Sequence, residues 1–541
     1  RKISQGFAER INEEKAETGG GTPSVAIAYD NRRDSDLFAF EAACVFAANG
    51  IRVELFDTLS ATPLLSFAVR ELHTDAGVVV TASHNNKAYN GYKIYDRHGC
   101  QCMPGDARKV ADKIDRVDMW TGVKTVAGKY TKGRTAAERT ALAAEEEPLI
   151  SLIGEAVTRQ YTDHVRAESK TAGACRDIRV VYTPLNGTGN LLVRRILTDA
   201  EIGDLIIVPE QENPDPDFTT CPEPNPEKPG ALNLGLALCE KRKAAGAAPD
   251  LLLGTDPDAD RLGAAVFHDG GYVRLSGNQV GILLLDYVVA CRERDGTMPD
   301  RPVFVTTIVS TPLTGEMAKR RGIETRKVLT GFKNIGDQMN ALEAVGEESR
   351  YIFGFEESCG YNSGVYARDK DAQDAALLLC EAAGVQKSRG KTLLDRMDEL
   401  YAEYGFYIDG LDEFVRPGEK GMREIAAIMG QLREPKTMDA FSAVVVATTD
   451  FESGVHTSYK LGGRVEKSPV AGIPSSNVIE FDLADGCKVL ARPSGTEPKL
   501  KIYYTGVGKT EADARKAIER MRAEVAKIAV KAEQGGKDGE V

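Results

Sequence analysis

The sequence predicts an α/β protein built as three sequential α/β domains with mixed or parallel sheets, followed by a smaller C-terminal α+β domain. Three observations predict it. Short apolar runs alternate with helix-spaced runs through most of the chain. That rhythm restarts twice after polar breaks, and beyond Gly405 it gives way to short strands joined by Gly, Pro, Asp and Ser turns.

The first unit opens with a strand at Ser24–Tyr29, a helix at Phe38–Asn49 and a strand at Arg52–Phe56. A helix at Leu64–Glu71 and a strand at Gly77–Thr81 follow. Alternation of this kind makes parallel sheets with helices on both faces. It restarts with a strand at Ile178–Tyr182 and a helical run from Leu191, then with a strand at Pro302–Thr307 and a helix at Pro312–Arg321. The breaks fall near Arg166–Arg176 and Arg292–Arg301, where charge, Gly and Pro collect. The expected domains are 1–170, 171–298, 299–408 and 409–541. In the last, Ala440–Thr448, Val478–Phe481, Cys487–Ala491 and Leu500–Thr505 read as strands and Glu511–Lys531 as a closing helix. The charged, Gly-rich tail from Gln534 is expected to fray.

At 541 residues the chain is too long for one ordinary core. It is 42% hydrophobic and 28% charged, the balance of a soluble globular protein. A net charge of −12 repels nucleic-acid backbones, so no nucleic-acid partner is expected. No apolar run is long enough to span a membrane and no secretory segment opens the chain, so the expected setting is cytoplasmic, without a membrane or an obligatory protein partner. The ten cysteines form no regular framework and are expected to be buried, reduced thiols.

Four loops carry chemistry. Thr81-Ala-Ser-His-Asn follows an apolar strand, so Ser83 stands at a strand's C-terminal end, where open α/β sheets bind ligands. His84 is adjacent, but neighbours at a strand end usually point apart, so the two are not expected to act as a simple base pair; Lys93 could bring charge to a phosphate. By itself the loop fits a polar turn around a buried histidine equally well. Asp256-Pro-Asp-Ala-Asp-Arg261 also follows an apolar strand. Its alternate carboxylates repel one another unless a hard divalent cation joins them, and it is not an EF-hand, because position six is Arg261 and position twelve Phe267. Gly354-Phe-Glu-Glu-Ser-Cys-Gly360 offers acids and a hydroxyl suited to sugar hydroxyls, with Lys333 in a Gly-bounded loop upstream and dense charge at Arg368–Asp371 downstream. Arg492-Pro-Ser-Gly-Thr-Glu-Pro-Lys-Leu-Lys501 combines Arg, two hydroxyls and a glycine N–H, as a phosphate cradle does; an ordinary hairpin turn would look similar.

Together and in this order, the T-A-S-H-N, D-x-D-x-D-R, G-x-E-x-S and R-x-S-G-T-E-P loops resemble those of the α-D-phosphohexomutase family, and most of all its bacterial phosphoglucomutase/phosphopentomutase-like branch. The resemblance covers essentially the whole chain. It implies four domains around a central cleft. It implies interconversion of glucose 1-phosphate and glucose 6-phosphate through a phosphorylated Ser83 and a sugar bisphosphate that turns around between transfers. Asp256, Asp258 and Asp260, with an oxygen on Ser83, would bind one Mg²⁺. Glu356 and Ser358 would contact sugar hydroxyls. Arg492, Ser494, Gly495 and Thr496, with Lys501, would hold the non-reacting phosphate. His84, Lys93 and Lys333 are candidates for acid–base work or charge support, and Arg261 for holding the transferred group. A sugar 1,6-bisphosphate primer is implied, with a phosphosugar as the partner molecule.

The chain departs from the family in three places. The usual Gly-Thr-x-Gly-x-Arg opening is not found, and Arg1–Phe7 resembles the stretch just after it. Asn186 stands where relatives often carry His, and Asn86 where they carry Pro. The alternatives to a hexose mutase are a phosphopentomutase acting on ribose or deoxyribose 1-phosphate, a non-catalytic phosphosugar-binding protein, and a phosphatase.

Overall fold

The computed structural model describes residues 1–133, 135–460, 462–494 and 498–535. The chain gathers into two compact units. One comprises Arg1–Thr306, Gly322–Arg326 and Gly331–Arg396; the other comprises Thr307–Arg321, Lys327–Thr330 and the chain from Met397 onward.

The first unit carries two whole sheets and most of a third. The first contains β1 (Ser24–Tyr29), β2 (Arg52–Phe56), β3 (Ala76–Val80), β4 (Lys93–Asp96) and β5 (Ile150–Ile153), in the order β4-β3-β1-β2-β5. Its core strands are parallel and β4 is antiparallel to β3. Every residue of β3 is buried, as a strand covered on both faces requires. Alternation divides the sheet between two cores: Val25, Ile27 and Val78 pack with Phe7, Phe40 and Phe46, while Ala26, Ala28 and Val79 pack with Leu64, Leu65 and Phe67.

The second sheet contains β6 (Arg179–Thr183), β7 (Asp204–Ile207), β8 (Leu251–Thr255), β9 (Leu262–His268) and β10 (Gly271–Leu275), in the order β10-β9-β8-β6-β7. The third contains β11 (Val303–Thr307), β12 (Glu324–Val328), β13 (Tyr351–Glu356) and β14 (Gly360–Asn362), in the order β12-β11-β13-β14. In each sheet the opening strand lies between the two that follow it. The strand order therefore reverses beside the opening strand, and the loop after the third strand opens at that crevice. Those loops are the serine, acidic and sugar loops of the sequence.

The second unit holds a seven-stranded antiparallel sheet. Its strands are β15 (Phe406–Val415), β16 (Val445–Asp450), β17 (Val455–Tyr459), β18 (Val465–Pro469), β19 (Ile479–Leu483), β20 (Lys488–Pro493) and β21 (Lys499–Gly508), in the order β15-β21-β20-β19-β16-β17-β18. Helices Gly418–Arg433 and Glu511–Gly535 supply Ile428, Met429, Ile518 and Met521 to its core. The strand expected from Ala440 begins at Val445 instead. Pro435–Ala440 forms a 3₁₀ turn, which packs the half-buried Met438 and Ala440 against the core without extended pairing. The tail beyond Gly535 lies outside the described residues. All ten cysteines are free and buried, and among the described residues no helix is long and apolar enough to cross a membrane.

Candidate active site

The acidic loop leaves β8 and turns at Ala259, whose φ is +50°. The N–H groups of Asp260 and Arg261 donate to Asp256 Oδ1 at 3.1 and 3.0 Å, which fixes that carboxylate and leaves Oδ2 facing the serine loop. Ser83 Oγ donates to Asp256 Oδ2 at 2.9 Å, across 173 residues of sequence. Asp256, Asp258 and Asp260 are all buried, and a ligand oxygen from each lies within 4.8 Å of the others. They are the one such cluster among the described residues. Buried Oδ1 atoms of Asp258 and Asp260 have no hydrogen-bond partner. Carboxylates held this close, dry and partly unpaired fit a hard divalent cation with oxygen ligands.

Two lysines offset part of the charge. β4 runs back along β3 with Lys93 opposite Val79, which sets Lys93 Nζ 2.8 Å from Asp258 Oδ2 and 3.6 Å from Asp260 Oδ2. Thr62 Oγ1 also donates to Asp258 Oδ2, at 2.9 Å. Burial is the largest single influence on the Asp258 carboxyl and would raise it, but Lys93, a hydrogen bond with Asp256 and the Lys370 charge together outweigh burial and hold Asp258 below the usual range. Burial and the neighbouring carboxylates push Asp256 well up. Asp260 is raised by burial and Asp258.

Ser83 adopts a left-handed backbone, φ +52°, and this changes one expectation. Its side chain and that of His84 do not point apart: Oγ lies 3.3 Å from His84 Nδ1. Adjacent side chains diverge in an extended strand, whereas the left-handed turn brings these two together. His84 is pushed down to about 2 by burial and by Arg261, so its ring is neutral. Arg261 Nη1 donates to Glu227 Oε1 at 2.9 Å, and its backbone bridges to Gly360 of the sugar loop.

Glu356 ends β13 and is 5% exposed, while Ser358 is half-buried in the turn before β14. Lys333 is the first residue of helix Lys333–Ala344, its carbonyl accepting from Cys100 Sγ at 3.4 Å. A lysine passed over in the sequence completes the charge. Lys370 Nζ lies 3.1 Å from Asp260 Oδ2 and 3.3 Å from Asp369 Oδ1, and Tyr95 Oη donates to Asp369 Oδ2 at 2.7 Å. The charge at Arg368–Asp371 was its only signal, and charge density alone does not say which residue turns inward.

In the second unit, Arg492 on β20 pairs in register with Lys501 on β21. Ser494 N donates to the Lys499 carbonyl at 2.7 Å, and Lys501 Nζ lies 3.2 Å from Glu413 Oε1. Gly495 and Thr496 lie outside the described residues. Asn186, where the family often has His, donates from Nδ2 to the Asn213 carbonyl at 2.8 Å and accepts from Thr220 Oγ1 at 2.8 Å; it braces the loop after β6.

A serine hydroxyl on a buried carboxylate cluster, flanked by lysines at the crevice of doubly wound sheets, defines a phosphoryl-transfer class of site. Models of the phosphoglucomutase/phosphomannomutase family match the chain in series: alpha/beta/alpha domain I at residues 1–119, domain II at 159–270, domain III at 276–404 and the C-terminal domain at 420–528. The phosphoglucomutase of Staphylococcus epidermidis is 34% identical over 505 residues, covering 93% of this chain and 86% of the relative. Among solved structures, the open form of parafusin, an exocytosis-sensitive phosphoprotein and phosphoglucomutase from Paramecium, superposes with a TM-score of 0.70 at 16% identity, covering 98% of this chain and 91% of that one. A phosphoglucomutase/phosphomannomutase family protein from Burkholderia thailandensis gives 0.62 at 17% identity, covering 97% and 93%. The chain belongs to the phosphoglucomutase/phosphomannomutase family. It is accordingly a mutase, a phosphotransferase-type isomerase of hexose phosphates.

Proposed function

We propose that the enzyme interconverts glucose 1-phosphate and glucose 6-phosphate, with Ser83 as the phosphoryl carrier and a glucose 1,6-bisphosphate as both intermediate and primer. The observation that carries this reading is the 2.9 Å hydrogen bond from Ser83 Oγ to Asp256, inside the buried carboxylate cluster. Asp256, Asp258 and Asp260 would hold one Mg²⁺, which when bound supplies positive charge to the phosphoryl oxygens. Around it, Lys93 and Lys370 offset the negative charge of Asp258 and Asp260 and hold them in place. Phosphoryl transfer needs mainly positioning and charge, and the buried loop supplies both while limiting the access of water.

In the half-reaction, the phosphoserine P–O bond breaks as a sugar hydroxyl forms its own bond to phosphorus; the hydroxyl gives up its proton, and Ser83 Oγ leaves as the alkoxide and ends protonated. His84, held neutral and 3.3 Å from Oγ, would orient the serine oxygen rather than take up the hydroxyl proton. Glu356 and Ser358 would take sugar hydroxyls; Arg492, Ser494, Gly495, Thr496 and Lys501 would take the other phosphate; Lys333 and Arg261 would add charge. The preference for glucose rests on the Glu-Glu-Ser form of the sugar loop.

Two measurements test it. Intact mass after treatment with glucose 1,6-bisphosphate should show one added phosphate per chain that is lost in Ser83→Ala. A coupled assay should give a higher kcat/KM for glucose 1-phosphate than for ribose 1-phosphate. The reverse ranking would make the enzyme a phosphopentomutase, and phosphate release faster than isomer formation would make it a phosphatase.

A further inference from the structure

We infer that Arg32 is a positioning residue for the reaction: its buried guanidinium grips the backbone of the serine loop and holds Ser83 in the left-handed turn that aims Oγ at Asp256. Arg32 lies in the loop after β1, on the other side of the crevice from the serine loop after β3. Its side chain is 2% exposed. Nη2 donates to the carbonyls of Ser83 and Asn85, each at 2.5 Å. Nη1 donates to those of Asn86 and Tyr89 at 2.9 and 3.0 Å. One side chain therefore serves four carbonyls of a loop that has left its strand. Such groups are costly to bury unpaired.

The grip is itself anchored. Arg32 Nε lies 3.0 Å from Asp30 Oδ2, and Asp30 Oδ1 accepts from Arg32 N at 2.9 Å and Ser35 Oγ at 2.7 Å. Asp30 N donates to the Val80 carbonyl at 3.1 Å, tying the end of β1 to the end of β3. The guanidinium face is covered by the Phe218 ring, 5.0 Å to its centroid. The neighbours of Arg32 reach the same segment, with Asn31 Nδ2 donating to the Asp215 carbonyl at 3.0 Å and Arg33 Nη2 lying 3.0 Å from Asp217 Oδ2. The loop that presents the serine is thus clamped between the first and second sheets, and the second sheet also supplies Asp256.

Only arginine suits this position. Its planar fork spreads donors over several acceptors at once, whereas lysine keeps the charge but concentrates its donors on one nitrogen. Lysine here would hold the ion pair with Asp30 and release at least two of the four carbonyls. Ser83 would remain, with its geometry relaxed. A displacement of about 1 Å between reacting groups costs about 100-fold in rate.

The inference rests on the reading of Ser83 as phosphoryl carrier, and one experiment separates the two. Wild type and Arg32→Lys are loaded with glucose 1,6-bisphosphate and analysed by intact mass. Each is then assayed for kcat and KM with glucose 1-phosphate, for loss of the phosphoserine to water, and for melting temperature. The expected result is equal phosphate loading and similar melting, kcat lower by about 100-fold, KM changed by less than about threefold, and more phosphate lost to water per turnover. Phe218→Leu, which strips the ring from the guanidinium and leaves the carbonyl contacts, should show the same pattern more weakly; it serves where the Lys variant does not fold. A phosphorylated wild type with an Arg32→Lys variant of unchanged kcat overturns the positioning role alone. So does a kcat loss that tracks melting temperature and is matched by an equal loss of bound metal. A wild type that takes up no phosphate on Ser83 overturns both readings.

Discussion

His84 is a titratable ring in a dry, positively charged place. Burial and Arg261 together hold it neutral, down to about 2 from an ordinary 6.5. The linkage then has a fixed sign. Above the ordinary value the ring is neutral whether folded or unfolded, and stability is unaffected. Below it the unfolded chain takes up a proton that the folded metal-free enzyme refuses, so stability falls as pH falls toward 2. One such proton is worth about 1.4 kcal/mol between about pH 7.5 and about pH 5.5. Urea unfolding in a chelator should show the wild type losing that much more than His84→Gln over this interval; equal losses in the two proteins would contradict a neutral buried ring. Side chains of this kind were legible in the sequence as types but not as pairs. Ser83, the three aspartates and Glu356 all follow apolar strands, and that placement made them visible. The Ser83–His84 approach depends on a left-handed φ at a non-glycine residue, which no residue type announces. Lys370 turns inward onto Asp260 and onto Asp369, which Tyr95 in turn holds, a long-range arrangement that local charge does not encode.

At the scale of elements, helix Gly277–Asp295 carries the sugar loop on its N-terminal end. A capping box closes that end: Ser276 Oγ accepts from Gln279 N at 3.2 Å, and Ser276 N donates to Gln279 Oε1 at 2.9 Å. Immediately behind it, a Cβ on Gly277 would stand 1.9 Å from the Glu357 carbonyl oxygen. No flexible side chain yields there, because the obstacle is backbone between Glu356 and Ser358. Gly277→Ala should therefore cost about 1–3 kcal/mol of stability, as overpacking does, and should raise KM for the hexose phosphate by displacing the loop. Melting temperature and steady-state kinetics check it, and an unchanged KM with intact stability would show that the loop does not lean on the helix. Elements as a whole were read where burial writes a pattern. β3 is wholly buried and stands out as an apolar run, whereas β18 is wholly exposed and reads Val-Glu-Lys-Ser-Pro, which no periodicity marks. β15 was missed for a related reason: it alternates exposed with half-buried residues and puts charge among them.

Across the whole molecule the three α/β sheets repeat one topology, with the opening strand between the next two, although the sequence carries no repeat visible by eye. Strand order is set by long-range pairing, and the apolar runs fix only that strands exist, so the repetition was not readable from the chain. Its consequence is that the serine and acidic loops both stand at switch points within the first unit, which holds all three aspartates of the carboxylate cluster. Bound cation should then stabilise the first unit specifically. A ligand at about 100 times its Kd adds about 2.7 kcal/mol to the state that binds it. In calorimetry, Mg²⁺ should raise the transition of the first unit by a few degrees, with a chelator reversing the shift. Asp258→Asn should abolish that shift and lower turnover by about 100-fold or more, yet leave the metal-free melting nearly unchanged. The Asn side chain can still accept from Thr62 Oγ1, and loss of the charge relieves Asp256 and Asp260 of a repulsive neighbour while giving up the Lys93 ion pair. A variant that keeps the Mg²⁺ shift would remove Asp258 from the cation site, and one that melts many degrees lower without metal would mark the aspartate as a folding residue first.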